Sequence, residues 1–241
     1  NADQANIIRQ LYHWLIDPCI CFVRKMVDEQ VTVHDQTLVV GTLRLMESIF
    51  EEILVNADGA SGAGMSVKVS DMSKEAAELI TLRRETIECT ILFSIVWSIG
   101  ATSDEAGRLL FSNFLNEYLT DSSIVDKPEM KGVKTLLMLR NWENPMKKQY
   151  KICNPMPFEN GVYGYSYNPS NSTWNAWEDQ IDQSLPGMEE QYNSIVVPNV
   201  ITVQLSVLLD LLITHNFTPL VCGPTGTGKS VFINKVLNEH L

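Results

Sequence analysis

The sequence predicts two kinds of structure in series: an all-helical unit, then the opening of an α/β unit, with an irregular stretch between them. Three observations carry this. Apolar residues recur at helical spacing through the first 120 residues. The texture then changes, and residues 121–190 hold six of the ten prolines together with scattered aromatics. From Tyr192 short apolar segments alternate with a helical one, and the last runs straight into the glycine-rich string GPTGTGKS, residues 223–230.

The elements follow in order. Residues 6–16 place Ile7, Ile8, Leu11, Trp14 and Leu15 on one helical face. A second helix is expected from Pro18 towards Glu29, with proline in its first turn, where a missing N–H matters little. Asp35 can cap a third, whose stripe is Leu38, Leu45, Met46, Ile49 and Ile53. Residues 56–72, NADGASGAGMSVKVSDM, break the pattern and read as a flexible insertion. Ser73 then caps a long helix to about Ile99, Gly100 ends it, and Thr102-Ser103-Asp104-Glu105 reads as a capping box for a helix to Leu119.

Beyond Thr120 one strand is expected over residues 162–167, with Tyr163, Tyr165 and Tyr167 on one face at period two. Trp174 and Trp177 follow at helical spacing and read as packing anchors. Residues 194–198 form a short extended segment, a helix spans 202–215, and a strand over 219–222 leads into Gly223. After the glycines, Phe232, Ile233, Val236 and Leu237 mark one buried helical face.

Composition excludes several function classes. A formal net charge of -11 with no basic block argues against nucleic acid or an anionic membrane as the main partner. The longest nearly apolar run, residues 90–101, falls short of the about 20 residues needed to cross a bilayer. Cysteines at 19, 21, 89, 153 and 222 lack metal-site spacing and read as buried, reduced thiols of a cytosolic protein. Asn171-Ser172-Thr173 matches a glycosylation sequon without other signs of secretion.

Gly223, Gly228, Lys229 and Ser230 satisfy the phosphate-loop pattern G-x-x-x-x-G-K-[ST], with a strand expected before it and a helix after it. Gly223, Gly226 and Gly228 allow tight turns that bring backbone N–H groups onto phosphate oxygens. Lys229 supplies charge for the β- and γ-phosphates, and Ser230 offers a hydroxyl to Mg²⁺. The nucleotide-binding set is therefore Gly223, Pro224, Thr225, Gly226, Thr227, Gly228, Lys229, Ser230 and Val231, with ATP or ADP and Mg²⁺ as cofactors. No catalytic residue is assigned. Asp210 ends an apolar run, but Leu211 and Leu212 continue the helix past it, and after the loop only Glu239 offers an acid. The chain by itself is expected to be inactive in turnover.

At this point the sequence resembles a dynein heavy chain, the ring-shaped AAA+ microtubule motor, across almost its whole length. The landmarks are Asp17-Pro18-Cys19 with Phe22-Val23-Arg24-Lys25, then residues 92–100 (LFSIVWSIG), Val162-Tyr163, Trp174 and Trp177, Val197-Pro198, and GPTGTGKS. The resemblance implies a fold of α + α/β class. Residues 1–120 would be the helical lid of the second AAA+ module. Residues 121–190 would be a connector with a short β element, and 191–241 the P-loop start of the third, truncated large subdomain. Asn1 and the short stretch after Ser230 fit an excerpt of a longer polypeptide.

The implied function is that of an ATP-driven, minus-end-directed microtubule motor in which the third module is a regulatory nucleotide site. Implied partners are neighbouring AAA+ modules, intermediate and light chains, and microtubules engaged through regions outside this stretch. The implied location is cytoplasm and cytoskeleton, in the axoneme of a cilium or flagellum, because Thr225-Gly226-Thr227 resembles axonemal, inner-arm wording. The family often carries Thr-x-Asp-Thr after Val-Pro, where this chain has Asn199-Val200-Ile201-Thr202; Val196 and Val197 are the base-proximal residues implied. Arg44 is a lid residue implied to face phosphate. A second reading stays open, in which the site holds nucleotide only to stabilise a ring.

Overall fold

The computed structural model describes residues 2–60, 72–146, 150–181 and 198–240. It divides into two compact units, Asn1–Trp174 and Asn175–Leu241. The first is mostly helical, and its core extends beyond Thr120 through residues such as Val133, Leu137 and Val162.

The first helix corrects the sequence reading. Instead of breaking before Pro18, α1 (Ala2–Met26) runs through it. A proline inside a helix removes the N–H that would bond the carbonyl four residues back, here that of Trp14. The Tyr118 hydroxyl donates to the Trp14 carbonyl at 2.9 Å, in a buried position, and takes that role. The neighbouring His13 carbonyl accepts from Trp142 Nε1 at 2.7 Å. Tyr118→Phe is expected to destabilise this unit by about 1–3 kcal/mol by stranding a buried acceptor. The same change should matter much less in a Pro18→Ala background, where residue 18 regains its N–H. Thermal denaturation of the four proteins checks this, and equal losses in both backgrounds would refute it.

α2 (Asp35–Ala60) buries Leu38, Leu45, Met46 and Ile49, with Ile53 half-buried, as its periodicity predicts. Asp35 is its first residue rather than its cap. The amides of Thr37 and Leu38 turn instead to the His34 carbonyl. The Asp35 carboxylate accepts from Arg24 Nε at 2.9 Å and from Arg140 Nη2. Burial opposes its charge, but the bonds from Arg24 and Arg140 prevail and hold its pKa below the usual carboxylate range.

α3 (Met72–Ser98) lies against α2, and Gly41 permits the approach. A Cβ at Gly41 would meet Ser98 Oγ at 2.6 Å, and Ser98 Oγ donates to the Leu38 carbonyl at 2.8 Å. The insertion expected over 56–72 is narrowed, because α2 takes residues 56–60 and Met72 already belongs to α3; residues 61–71 lie outside the described residues. Ser73 therefore sits inside the first turn rather than capping it.

Gly100 does end this helical stretch, opening the short turn Gly100–Thr102. A Cβ there would collide with the Phe111 ring at 2.7 Å and with the Tyr163 hydroxyl. The box expected at 102–105 reduces to Asp104, which caps α4 (Glu105–Thr120) by accepting from the Gly107 amide at 2.7 Å. Phe114 of α4 stacks on Phe22 of α1 with centroids 4.1 Å apart.

α5 (Lys131–Leu139) packs on α1 through Val133 and Leu137. The predicted strand shortens to β1 (Tyr165–Asn168), because Val162–Gly164 forms a tight turn after the left-handed Gly161. Tyr163 therefore leaves the strand row and meets Trp97 edge-on at 5.8 Å. β1 pairs with β2 (Thr173–Ala176), which contains Trp174. So the tryptophan spacing marks no helix, although Trp177 is fully buried, as an anchor should be.

α3 also carries a buried, multiply bonded carboxylate. Glu88, its side chain fully buried, accepts from Arg84 Nε at 2.8 Å, Tyr150 Oη at 2.5 Å and the Cys153 amide at 2.7 Å. Burial first, and then this carboxylate, push the Tyr150 phenol well above its ordinary pKa. Cys19, Cys21 and Cys89 are buried thiols, whereas Cys153 and Cys222 are exposed, which corrects the expectation for those two. Among the described residues no helix is long and apolar enough to cross a membrane.

Candidate functional site

In the second unit, α6 (Val200–Thr214) and α7 (Lys229–His240) pack together and bracket the glycine-rich loop. Asn199 and Thr202 start α6 with a reciprocal box. The Thr202 amide donates to Asn199 Oδ1 at 3.0 Å, and the Asn199 amide donates to Thr202 Oγ1 at 2.8 Å. Asn199 and Thr202 thus have a structural use as a cap. α6 continues through Asp210, which is exposed on its flank and ends no strand.

The strand expected over 219–222 is absent. Those residues have no regular structure, and Leu220 is 79% exposed. A strand exists only where a neighbour takes its N–H and C=O groups, and none of the described residues does so here. The face expected on α7 is also reduced: Val236 is buried, Phe232 and Ile233 are half-buried, and Leu237 is exposed.

The loop itself has the expected turns. Gly226 (φ 81°) and Gly228 (φ 77°) occupy the left-handed region, which glycine enters without strain. A Cβ at Gly226 would find nothing within 4 Å among the described residues, while one at Gly228 would press on the Phe232 ring at 3.3 Å. The Lys229 ammonium curls back and donates to the carbonyls of Gly223 (2.9 Å) and Pro224 and to Thr227 Oγ1 (3.2 Å). Thr227 Oγ1 in turn donates to the Pro224 carbonyl at 3.0 Å.

α7 begins at Lys229, with the amides of Val231 and Phe232 both turning to the Gly228 carbonyl. The first N–H groups of any helix lack intrahelical acceptors and carry partial positive charge. An ammonium held in the loop, a helix start and two left-handed glycines fit a polyphosphate. Ser230 is exposed on the first turn of α7, where its hydroxyl fits the role of a hard-cation ligand. Thr225 is likewise exposed in the loop.

Of the other residues singled out, Val196 and Val197 lie outside the described residues. Arg44 is exposed on α2, on the face away from Leu45, Met46 and Ile49. A cleft of about 790 Å³ in the helical unit, which sequence reasoning missed, is lined by Arg24, Glu29, His34 and Asp35. Its arginine is turned onto Asp35, Glu29 and the Val33 carbonyl, so it presents no charge poised for an anion. The only forewarning in the sequence was Arg24 lying within reach of two acids.

A helical unit followed by the start of a P-loop region is compatible with a piece of an AAA+ protein that spans parts of two modules, and comparison with known proteins agrees. The profile of the dynein heavy chain AAA lid domain matches residues 8–179, and that of the P-loop containing dynein motor region matches 186–241. The chain belongs to the dynein heavy chain family. It is 29% identical over 241 residues to dynein axonemal heavy chain 12 of Rattus norvegicus, covering 99% of this chain and 7% of that one. To dynein axonemal heavy chain 1 of Homo sapiens it is 28% identical, over 97% of this chain and 5% of the relative. The chain thus spans a small fraction of the length of these relatives.

Proposed function

We propose that the loop binds ATP or ADP with Mg²⁺ as the nucleotide site of the third AAA+ module of an axonemal dynein heavy chain. The observation that carries this reading is the placement of Lys229, its ammonium held within a loop turned by Gly226 and Gly228 at the start of α7. Gly223, Pro224, Thr225, Gly226, Thr227 and Gly228 would supply the backbone cradle, with Val231 in the helical turn behind it. Lys229 would meet the β- and γ-phosphates, and Ser230 would hold Mg²⁺. Val196 and Val197 would lie near the base, and Arg44 would face phosphate at the second module's own cleft.

In this reading residues 1–120 act as lid, 121–190 as connector and 191–241 as the nucleotide-holding start of the next module. The whole would be an ATP-driven, minus-end-directed microtubule motor of the axoneme, and this site would regulate its cycle. Neighbouring modules, intermediate and light chains and the microtubule would be engaged through the rest of the heavy chain. The test is metal-dependent binding. Ser230→Ala is expected to weaken ATP binding about ten-fold with Mg²⁺ present, equivalent to about 1.4 kcal/mol, and to leave it unchanged in EDTA. An equal loss in both conditions would remove Ser230 as the metal ligand, and absence of nucleotide binding to the unaltered protein would sink the reading.

A further inference from the structure

We infer that Thr227, which occupies a variable position of the phosphate-loop pattern, is a positioning residue that sets the Lys229 ammonium for β- and γ-phosphates. The inference rests on the nucleotide-site reading above. An ammonium has three donors, and three acceptors surround this one: the Gly223 carbonyl, the Pro224 carbonyl and Thr227 Oγ1. Two belong to the backbone at the start of the loop and exist whatever the side chains there. The third is a side chain from the far end of the loop.

The Thr227 hydroxyl also spends its own proton on the Pro224 carbonyl, 3.0 Å away. It therefore braces the loop's two ends and orients its remaining lone pairs towards Lys229. The brace matters because Gly226 beside it has no Cβ and, among the described residues, nothing within 4 Å of where one would stand. Neither packing nor side-chain sterics limits the backbone at that point. Without the hydroxyl, the lysine keeps its backbone acceptors but loses the tie between them and residues 227–229. A looser loop holds fewer chains in the phosphate-ready shape, and apparent affinity falls by that fraction.

Because Thr227 acts through Lys229, its effect falls on nucleotides with a β-phosphate and not on AMP. The experiment measures ATP, ADP and AMP affinity at this site in the full heavy chain carrying Thr227→Val, Thr227→Ser or Lys229→Ala. Valine keeps the shape without the hydroxyl and is expected to weaken ATP and ADP about five-fold while leaving AMP within two-fold, the size of one hydrogen bond. Serine restores the unaltered values. Loss of ATP affinity in Lys229→Ala alongside unchanged affinity in Thr227→Val would overturn the inference while leaving the site assignment intact. Tighter ATP binding in Thr227→Val would also overturn it, showing a latch rather than a brace, as would equal weakening of AMP. Unchanged ATP binding in Lys229→Ala would instead overturn the site itself.

Discussion

On the proposed nucleotide-site reading, Lys229→Ala is expected to raise the dissociation constant for ATP about a hundred-fold. The change removes the one side-chain charge that lies in the loop, within reach of the Gly223 and Pro224 carbonyls. A hydrogen bond to a charged group is worth about 1.5–3 kcal/mol, and phosphates engage the ammonium through more than one oxygen, so about 2.7 kcal/mol is a reasonable total. The glycine turns at 226 and 228 do not depend on the lysine, so the loop keeps its shape and the loss reports on charge. Equilibrium binding of a fluorescent ATP analogue reads the result. A change of less than three-fold would mean that the loop holds no phosphate.

Glu88→Ala is the second large effect, expected to destabilise the helical unit by about 3 kcal/mol. Four donors converge on this carboxylate, from Arg84, Tyr150 and the amide and thiol of Cys153, and the part-buried Tyr150 hydroxyl and Cys153 amide would lose their acceptor. Arg84 is 40% exposed and can turn to water, so its lost pairing adds little. Breaking a buried ionic contact by deleting one partner falls at about 3–5 kcal/mol when both ends are buried, and one exposed end puts Glu88 at the lower bound. Glu88→Gln retains an acceptor and should lose less than half as much. Urea denaturation of the three proteins decides the matter, and a loss below 1 kcal/mol in the alanine variant would show that the segment at 150–153 holds its place without Glu88.

What could be read from the sequence was whatever depended on neighbours in the chain. The stripe Leu38 to Ile53 was legible because a helix buries one face at a fixed period, and the phosphate loop because its parts lie within eight consecutive residues. What failed depended on distant partners. Nothing near Pro18 announces Tyr118, whose hydroxyl reaches the Trp14 carbonyl across 104 residues of chain, so a broken helix was the sound local reading. Residues 219–222 have strand composition, but composition cannot supply a neighbouring strand. Asp35 looked like a cap until Arg24 and Arg140 claimed its carboxylate. Glu88 carried a signal that went unused: an acid at the edge of the apolar run 87–99, four residues after an arginine.

The proline in α1 has a consequence for how firmly that helix holds its line. Without the Tyr118 hydroxyl of α4, the Trp14 carbonyl has lost both its helical donor and its substitute, so α1 is expected to bend more easily at Pro18. The bond from Tyr118 therefore helps to keep one continuous helix across the proline, supplied by a residue from far along the chain. The stiffness of α1 is thus conditional on α4. Any event that lifts α4 by the length of one hydrogen bond frees that bend, and amides on both sides of Pro18 should exchange with solvent in step with those of α4.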